Sequence, residues 1–182
     1  MNKGFCLLAQ NNSTTDYVRQ AYALALSLHK YNCNQKISLI TNDTVPKEWQ
    51  NVFDQIIPIP WTDSAKTSDW KIENRWKVYH ASPYEQTIVL EADMLILSDI
   101  THWWKELAKY ELFFTSNVQT YRQETVTSRH YRKTFDANNL PNLYSALHYF
   151  KKGNTAKEFY TLLEIVVNNW ELFYSKYAKE RY

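Results

Sequence analysis

Apolar positions along this chain follow two periods. Short β-type runs at residues 5–9, 37–41, 55–60, 87–97 and 111–115 alternate with stretches in which apolar side chains recur every three or four residues. The first such stretch sets Tyr17, Ala21, Leu24, Leu28 and Tyr31 on one face behind Asp16, a residue suited to cap a helix start. Residues 69–81 and 99–110 read as further helices, the former stopped by Pro83. Pro58 and Pro60 cannot donate ladder hydrogen bonds, so the third run is expected at a sheet edge or at a strand's end. Residues 143–151 read as one more extended segment, and residues 121–142, rich in Arg, Thr and Asn, as a long surface loop with partial helix. This alternation predicts a single α/β domain over residues 1–182, with a mainly parallel central sheet covered by helices on both faces.

The last helix carries the clearest pattern. Thr155 and Glu158 have the spacing of a capping box, and Phe159, Leu163, Val166, Trp170, Phe173 and Tyr177 follow as one apolar stripe. Core packing is the ordinary use of such a stripe; its aromatic content also suits an interface with a partner, such as a second copy of the chain in a homo-oligomer, or with further chain.

The run at 87–97 differs from the others because Glu91 and Asp93 interrupt it. Burying ionised carboxylates without partners is expensive, so the pair marks a strand end that faces a cation or a polar ligand. Ligands of open parallel sheets bind at the carboxyl ends of the strands, and residues 10–15, 41–44, 91–93 and 115–117 all follow strands on that edge. Side chains two apart on a strand point the same way, which directs Glu91 and Asp93 at one site. A hard divalent cation leaves coordination places for water and phosphate, so two carboxylates suffice where the ligand supplies the rest.

Charge and composition narrow the classes. A formal net charge of +2 with neither sign in a block argues against a nucleic-acid-binding surface. With only Gly4 and Gly153, neither a phosphate-binding Gly-rich loop nor a dinucleotide fingerprint can be written. Cys6 and Cys33, with no thiol or His at ligand spacing, read as free thiols of a reducing compartment. His29, His80, His102, His130 and His148 show no metal-ligand spacing either. No apolar run is long enough for a signal peptide or a transmembrane segment, so a cytoplasmic location is expected.

The segment Leu90-Glu91-Ala92-Asp93-Met94-Leu95-Ile96-Leu97-Ser98-Asp99-Ile100 resembles the DxD-bearing segment of GT-A fold glycosyltransferases, with Glu for the first Asp. Residues 16–28 look like the opening helix of these enzymes. Arg75-Trp76-Lys77-Val78-Tyr79 and Ser82-Pro83-Tyr84-Glu85 look like the helix and turn before their DxD strand. The family that includes glycogenin and bacterial galactosyltransferases is the most similar, over residues 3–170. The resemblance implies a GT-A type fold and metal-dependent transfer of a sugar from a nucleoside diphosphate sugar, with a UDP-sugar favoured and retention by analogy. The acceptor, a glycan, a protein or a small molecule, is left open. On the same resemblance Asp93 ligates Mn2+ or Mg2+ and Glu91 helps hold the metal and the donor ribose. Arg75 and Lys77 would face the diphosphate or sugar, and Gln10, Tyr17 and Asp43 the base and ribose. Without it, Arg75 and Lys77 read equally as a solvated helix face, Tyr17 as a core ring and Asp43 as a turn residue.

Two features depart from the family. Residues 144–150 replace an Asn-Ser-Gly stretch on the acceptor side, and the third metal ligand, often a His beyond the long helix, would fall past Tyr182. The chain is therefore read as truncated there, or as relying on Glu91, Asp93, water and phosphate. No inverting base stands out among Glu111, Glu124 and Asp136. A nucleotidyltransferase is disfavoured because the Gly-rich loop after the first strand is missing. A non-catalytic nucleotide-sugar-binding or interaction domain is the alternative to an enzyme.

Overall fold

The computed structural model describes residues 2–32, 34–68, 71–120, 122–124, 137–141 and 143–177, organised by one six-stranded sheet. The strands are β1 (Lys3–Leu8), β2 (Lys36–Ile40), β3 (Gln55–Ile57), β4 (Gln86–Glu91), β5 (Leu112–Ser116) and β6 (Leu143–Lys151), in the order β3-β2-β1-β4-β6-β5. β1 pairs in parallel with β2 and β4, and β2 with β3, whereas β6 is antiparallel to β4 and β5. The sheet is thus mixed and mostly parallel, and β3 is the edge strand expected from its following prolines. The helices are α1 (Tyr17–Asn32), α2 (Lys47–Gln50), α3 (Val78–Ala81), which continues a 3-10 helix at Lys71–Lys77, α4 (Trp103–Leu107), α5 (Asn154–Asn168) and α6 (Trp170–Tyr177). Among the described residues no helix is long and apolar enough to cross a membrane.

Strand alternation sorts the buried side chains into two cores, each covered by helices. Phe5, Leu7, Ile37, Leu39, Ile88 and Leu90 turn towards α1 and α4, where they meet Val18, Ala21, Leu24, Leu28 and Trp104. Cys6, Ile40, Val89 and Phe150 turn to the opposite face and meet Trp76, Val78, Ala156 and Tyr160. Each large apolar side chain so buried contributes about 1.5–3 kcal/mol. Gly4 is required where β1 passes Tyr84: a Cβ there would lie 2.5 Å from the ring and 2.9 Å from the Lys36 carbonyl oxygen.

Several local expectations are corrected. Residues 87–97 are not one strand: β4 ends at Glu91, and the Met94 N–H returns to the Glu91 carbonyl at 3.2 Å. Beyond this turn the chain crosses α1, where the Ile96 N–H donates to Ser27 Oγ at 2.9 Å and the Ile96 side chain joins the α1 core. Leu95 and Leu97 on either side are exposed, so apolar content alone mimicked a longer strand. The helix expected at 69–81 is a 3-10 helix and one α turn, its first two positions lying outside the described residues, and that at 99–110 shortens to α4.

The capping box does not form. α5 starts with Gly153 as its N-cap, and Thr155 Oγ1 donates instead to Glu111 Oε2 at 2.6 Å. Nor is the last helix continuous: Asn169 leaves helical geometry, and its side-chain amide donates to the Ile165 carbonyl at 2.9 Å. α5 packs through Ala156, Phe159, Tyr160, Leu163 and Val167, while Leu162, Ile165, Trp170 and Tyr177 stay exposed. Most of the 121–142 segment, including His130 and Asp136, lies outside the described residues, as does Cys33.

Candidate functional site

A cavity of about 560 Å³ opens where β1 and β4 end, between the loop after β1, the 3-10 helix and the start of β6. The loop is set by its own side chains. Asp16 caps α1 by accepting the Arg19 N–H at 2.9 Å, Asn11 Oδ1 accepts the Val18 N–H at 3.0 Å, and Asn12 Oδ1 the Thr15 N–H at 2.8 Å. Tyr17, the first residue of α1, is thereby held at the cavity wall. Asp43 supports this loop from behind, its carboxylate accepting the Asn11 N–H at 2.7 Å.

Of the residues singled out from sequence, Gln10, Tyr17, Arg75, Glu91 and Asp93 line the cavity; Asp43 and Lys77 do not. Glu91 and Asp93 reach it differently from the expectation of two side chains on one strand face. Glu91 is the last residue of β4, whereas Asp93 lies in the turn that follows, exposed and accepting no hydrogen bond from the described residues. Glu91 is paired with Arg75, Nη2 to Oε2 2.9 Å, the two side chains being 26% and 45% exposed. Burial pushes the Glu91 carboxyl up, the Arg75 guanidinium draws it back, and the Asp93 charge pushes it up again, so that it stands above the usual carboxylate range.

Lys77 is turned away from the cavity. It is 2% exposed and its ammonium donates to the Thr62 carbonyl and to Ser64 Oγ, pinning the loop between β3 and the 3-10 helix. Burial lowers its pKa against the opposing charges of Asp63, Glu164 and Glu73.

Behind the cavity lies a partly buried polar network that left almost no trace in the sequence. Asp63 accepts from Gln10 Nε2 at 3.0 Å and from Asn74 Nδ2 at 2.7 Å, while Asn74 Nδ2 also reaches Gln10 Oε1 at 2.9 Å. Burial pushes the Asp63 carboxyl up, but the hydrogen bonds from Gln10, Asn74 and the Ala65 N–H outweigh it and leave the group below its ordinary value. Its only signal was an uncharged amide, Asn74, within a stretch that otherwise reads as a solvated helix.

β6 supplies two more missed residues. Phe114 pairs with His148, yet the next residue of β5, Thr115, pairs with Tyr144, so residues 145–147 bulge from the ladder. The Thr115 hydroxyl satisfies the Tyr144 and Leu147 carbonyls at 3.0 and 3.1 Å. The bulge brings Ser145 Oγ to 3.4 Å from Arg75 Nη1. His148 is buried beside it, Nδ1 2.8 Å from the Ser145 carbonyl oxygen. A carbonyl only accepts, so Nδ1 carries the hydrogen and Nε2 the lone pair.

Among the described residues no group of three or more His, Cys, Asp and Glu is assembled that could hold a metal. A cation at this rim would depend on Glu91, Asp93 and oxygens of the ligand, a hard donor set that fits Mn2+ or Mg2+.

By sequence the chain matches no family model and no curated protein. Its fold is similar to that of several glycosyltransferases. The glycosyltransferase GlyE of Streptococcus pneumoniae TIGR4 superposes with a TM-score of 0.58 at 17% identity, over 94% of this chain and 40% of that one. The galactosyltransferase LgtC, in complex with donor and acceptor sugar analogs, gives 0.59 at 11% identity, over 98% and 66%. Core-mannan synthase A of Aspergillus fumigatus, in an Mn/GDP form, gives 0.54 at 10% identity, over 92% and 65%. The chain therefore spans 40% to 66% of the length of these proteins. Together with the mostly parallel sheet and its reversed β6, these likenesses show a GT-A-like fold.

Proposed function

We propose that this chain is the donor-binding domain of a metal-dependent glycosyltransferase. It would move a sugar, with retention, from a nucleoside diphosphate sugar, a UDP-sugar being favoured, to a glycan, protein or small-molecule acceptor. One observation carries the reading: Glu91, Asp93 and Arg75 stand together on a cavity at the carboxyl end of a GT-A sheet. The donor and acceptor sugar analogs in LgtC and the Mn/GDP form of core-mannan synthase A support it by analogy of fold.

Asp93 and Glu91 would hold Mn2+ or Mg2+, and the ion when bound supplies positive charge to the departing diphosphate. Arg75 is already oriented by Glu91 and Ser145, which leaves further guanidinium N–H groups for phosphate or sugar oxygens. Gln10 shapes the wall, its amide nitrogen and oxygen both engaged by Asp63 and Asn74. Tyr17 and the loop after β1 offer a ring and polar groups to the base and ribose. Lys77 and Asp43 act behind the site as supports.

Thermal shift with UDP and GDP, with and without Mn2+ or Mg2+, tests the reading. A nucleotide at a hundred times its Kd stabilises by about 2.7 kcal/mol, a rise of several degrees in Tm. The rise is expected only with the metal and is lost in Asp93→Asn; equal stabilisation in chelator removes the metal role. A binding-only domain is the second reading, favoured by the engagement of Glu91 with Arg75. Nucleotide binding with no donor hydrolysis or transfer across a panel of UDP- and GDP-sugars would select it.

A further inference from the structure

The loop between β3 and the 3-10 helix holds a tryptophan outward on a backbone that tryptophan disfavours. Trp61 has φ of 60°, in the left-handed region that a bulky L-residue rarely adopts. Burial does not offset this, because the ring is 65% exposed. The conformation is imposed by neighbours, with Asp63 held by Gln10 and Asn74 and the Thr62 carbonyl by the Lys77 ammonium. Strain maintained by the surroundings, without burial in return, points to a role for the ring.

One face of the Trp61 indole stacks on Trp76, with centroids 5.4 Å apart and planes at 22°, and His80 meets it edge-on at 5.0 Å. Beyond these two contacts the indole is largely exposed. Trp76, only 4% exposed, is shared between this stack and the cavity, which it lines. Hydrogen-bonding groups stand beside the ring: Thr62 follows it in the chain and His80 meets it edge-on, and both residues are exposed. Desolvation holds His80 below the usual imidazole range against the pull of Glu164, so at neutral pH it offers one donor and one acceptor nitrogen. A fixed apolar plane with donors and acceptors at its edge matches a pyranose, whose C–H face is apolar and whose equatorial hydroxyls radiate outward.

We propose that Trp61, with His80 at its edge, is a saccharide-ring platform that holds a sugar unit of the acceptor across Trp76 from the donor cavity. The assignment to an acceptor rests on the glycosyltransferase reading; the platform itself does not. Because Trp76 already orders the indole, binding loses little side-chain entropy.

The test is titration with lactose, maltose, cellobiose and N-acetyllactosamine, read by saturation-transfer NMR and tryptophan fluorescence. At least one disaccharide is expected to bind at millimolar concentration. Trp61→Ala should weaken it roughly tenfold or more, as for loss of a central aromatic anchor. His80→Ala, which leaves the Trp61 backbone and its Asp63 and Lys77 supports untouched, should weaken it less, and Trp170→Ala, outside this aromatic stack, not at all. No binding by the folded wild-type chain, or equal binding by Trp61→Ala, overturns the platform. Trp61→Ala should keep the metal-dependent nucleotide shift. If saccharide binding depends on Trp61 while wild type shows no nucleotide response, the platform stands and its assignment to an acceptor falls with the glycosyltransferase reading.

Discussion

Lowering the pH from 7 to 5 is expected to weaken the fold by about 2 kcal/mol through one side chain, His148. Its ring is 7% exposed and stacks on Phe114, with centroids 5.0 Å apart and planes at 13°. Burial drives the imidazole down from 6.5 to about 4; the Ser145 carbonyl opposes the shift and the Arg75 charge adds to it. Between those values the unfolded chain takes up a proton that the folded chain refuses. Stability therefore rises with pH across the window and is lost as pH falls from 6.5 towards 4. The full shift corresponds to about 3 kcal/mol, of which ~2 kcal/mol is felt by pH 5. Two carboxylates complicate the raw profile. Glu91, pushed up in the fold, disfavours folding when ionised and so recovers stability on acidification; Asp63, held down, loses its contribution only below the ordinary carboxylate range. Urea unfolding of wild type and His148→Gln at pH 7, 6 and 5 isolates the imidazole. The variant should lose about 2 kcal/mol less than wild type across that range. Parallel losses would refute a His148 kept neutral by the fold.

Gly4→Ala should destabilise by about 1–3 kcal/mol in urea unfolding, since the new methyl meets a buried ring and a strand carbonyl that cannot move apart. Gly153→Ala should cost less, because its Cβ meets the Glu111 carboxylate, the far end of a flexible side chain. Asp63→Ala leaves Gln10 and Asn74 short of an acceptor and should cost about 1–3 kcal/mol, with a shift in tryptophan emission as the Trp61 loop loosens. Arg75→Met should change fold stability by less than about 1 kcal/mol, because the ion pair is partly solvated, while markedly reducing the nucleotide-dependent thermal shift.

Hydrophobic period was enough to locate the strands and α1, because both cores are built from alternating side chains of strands buried on two faces. It could not give the direction of β6, since an apolar run reads the same in a parallel or an antiparallel ladder. It also overran β4: Ile96 is as buried as a strand residue, but in the surface of α1 and not in the sheet. Thr155 has the right spacing for a cap, yet Glu111, distant in sequence, offers its hydroxyl a stronger acceptor. At the candidate site the acids were legible because charge inside an apolar run is anomalous. Asp63, Asn74 and His148 were not, because each depends on partners that only the folded chain brings near. Lys77 shows the converse, a cation read as facing a ligand that instead holds a loop.

The reversed β6 gives the molecule a modular edge. Ser116 and Leu143 are paired neighbours, so the 117–142 connection leaves the sheet and returns to it at the same rim, beside the cavity. Doubling the length of such a closed excursion costs only about 0.6 kcal/mol in chain entropy. The register of β5 on β6 is set within the ladder itself, from Leu112 against Phe150 to Ser116 against Leu143, so a change of length outside the ladder is expected to leave the strand pairing in place. A graft that joins Ser116 to Leu143 is therefore the natural place to exchange a segment by design while the sheet keeps its order.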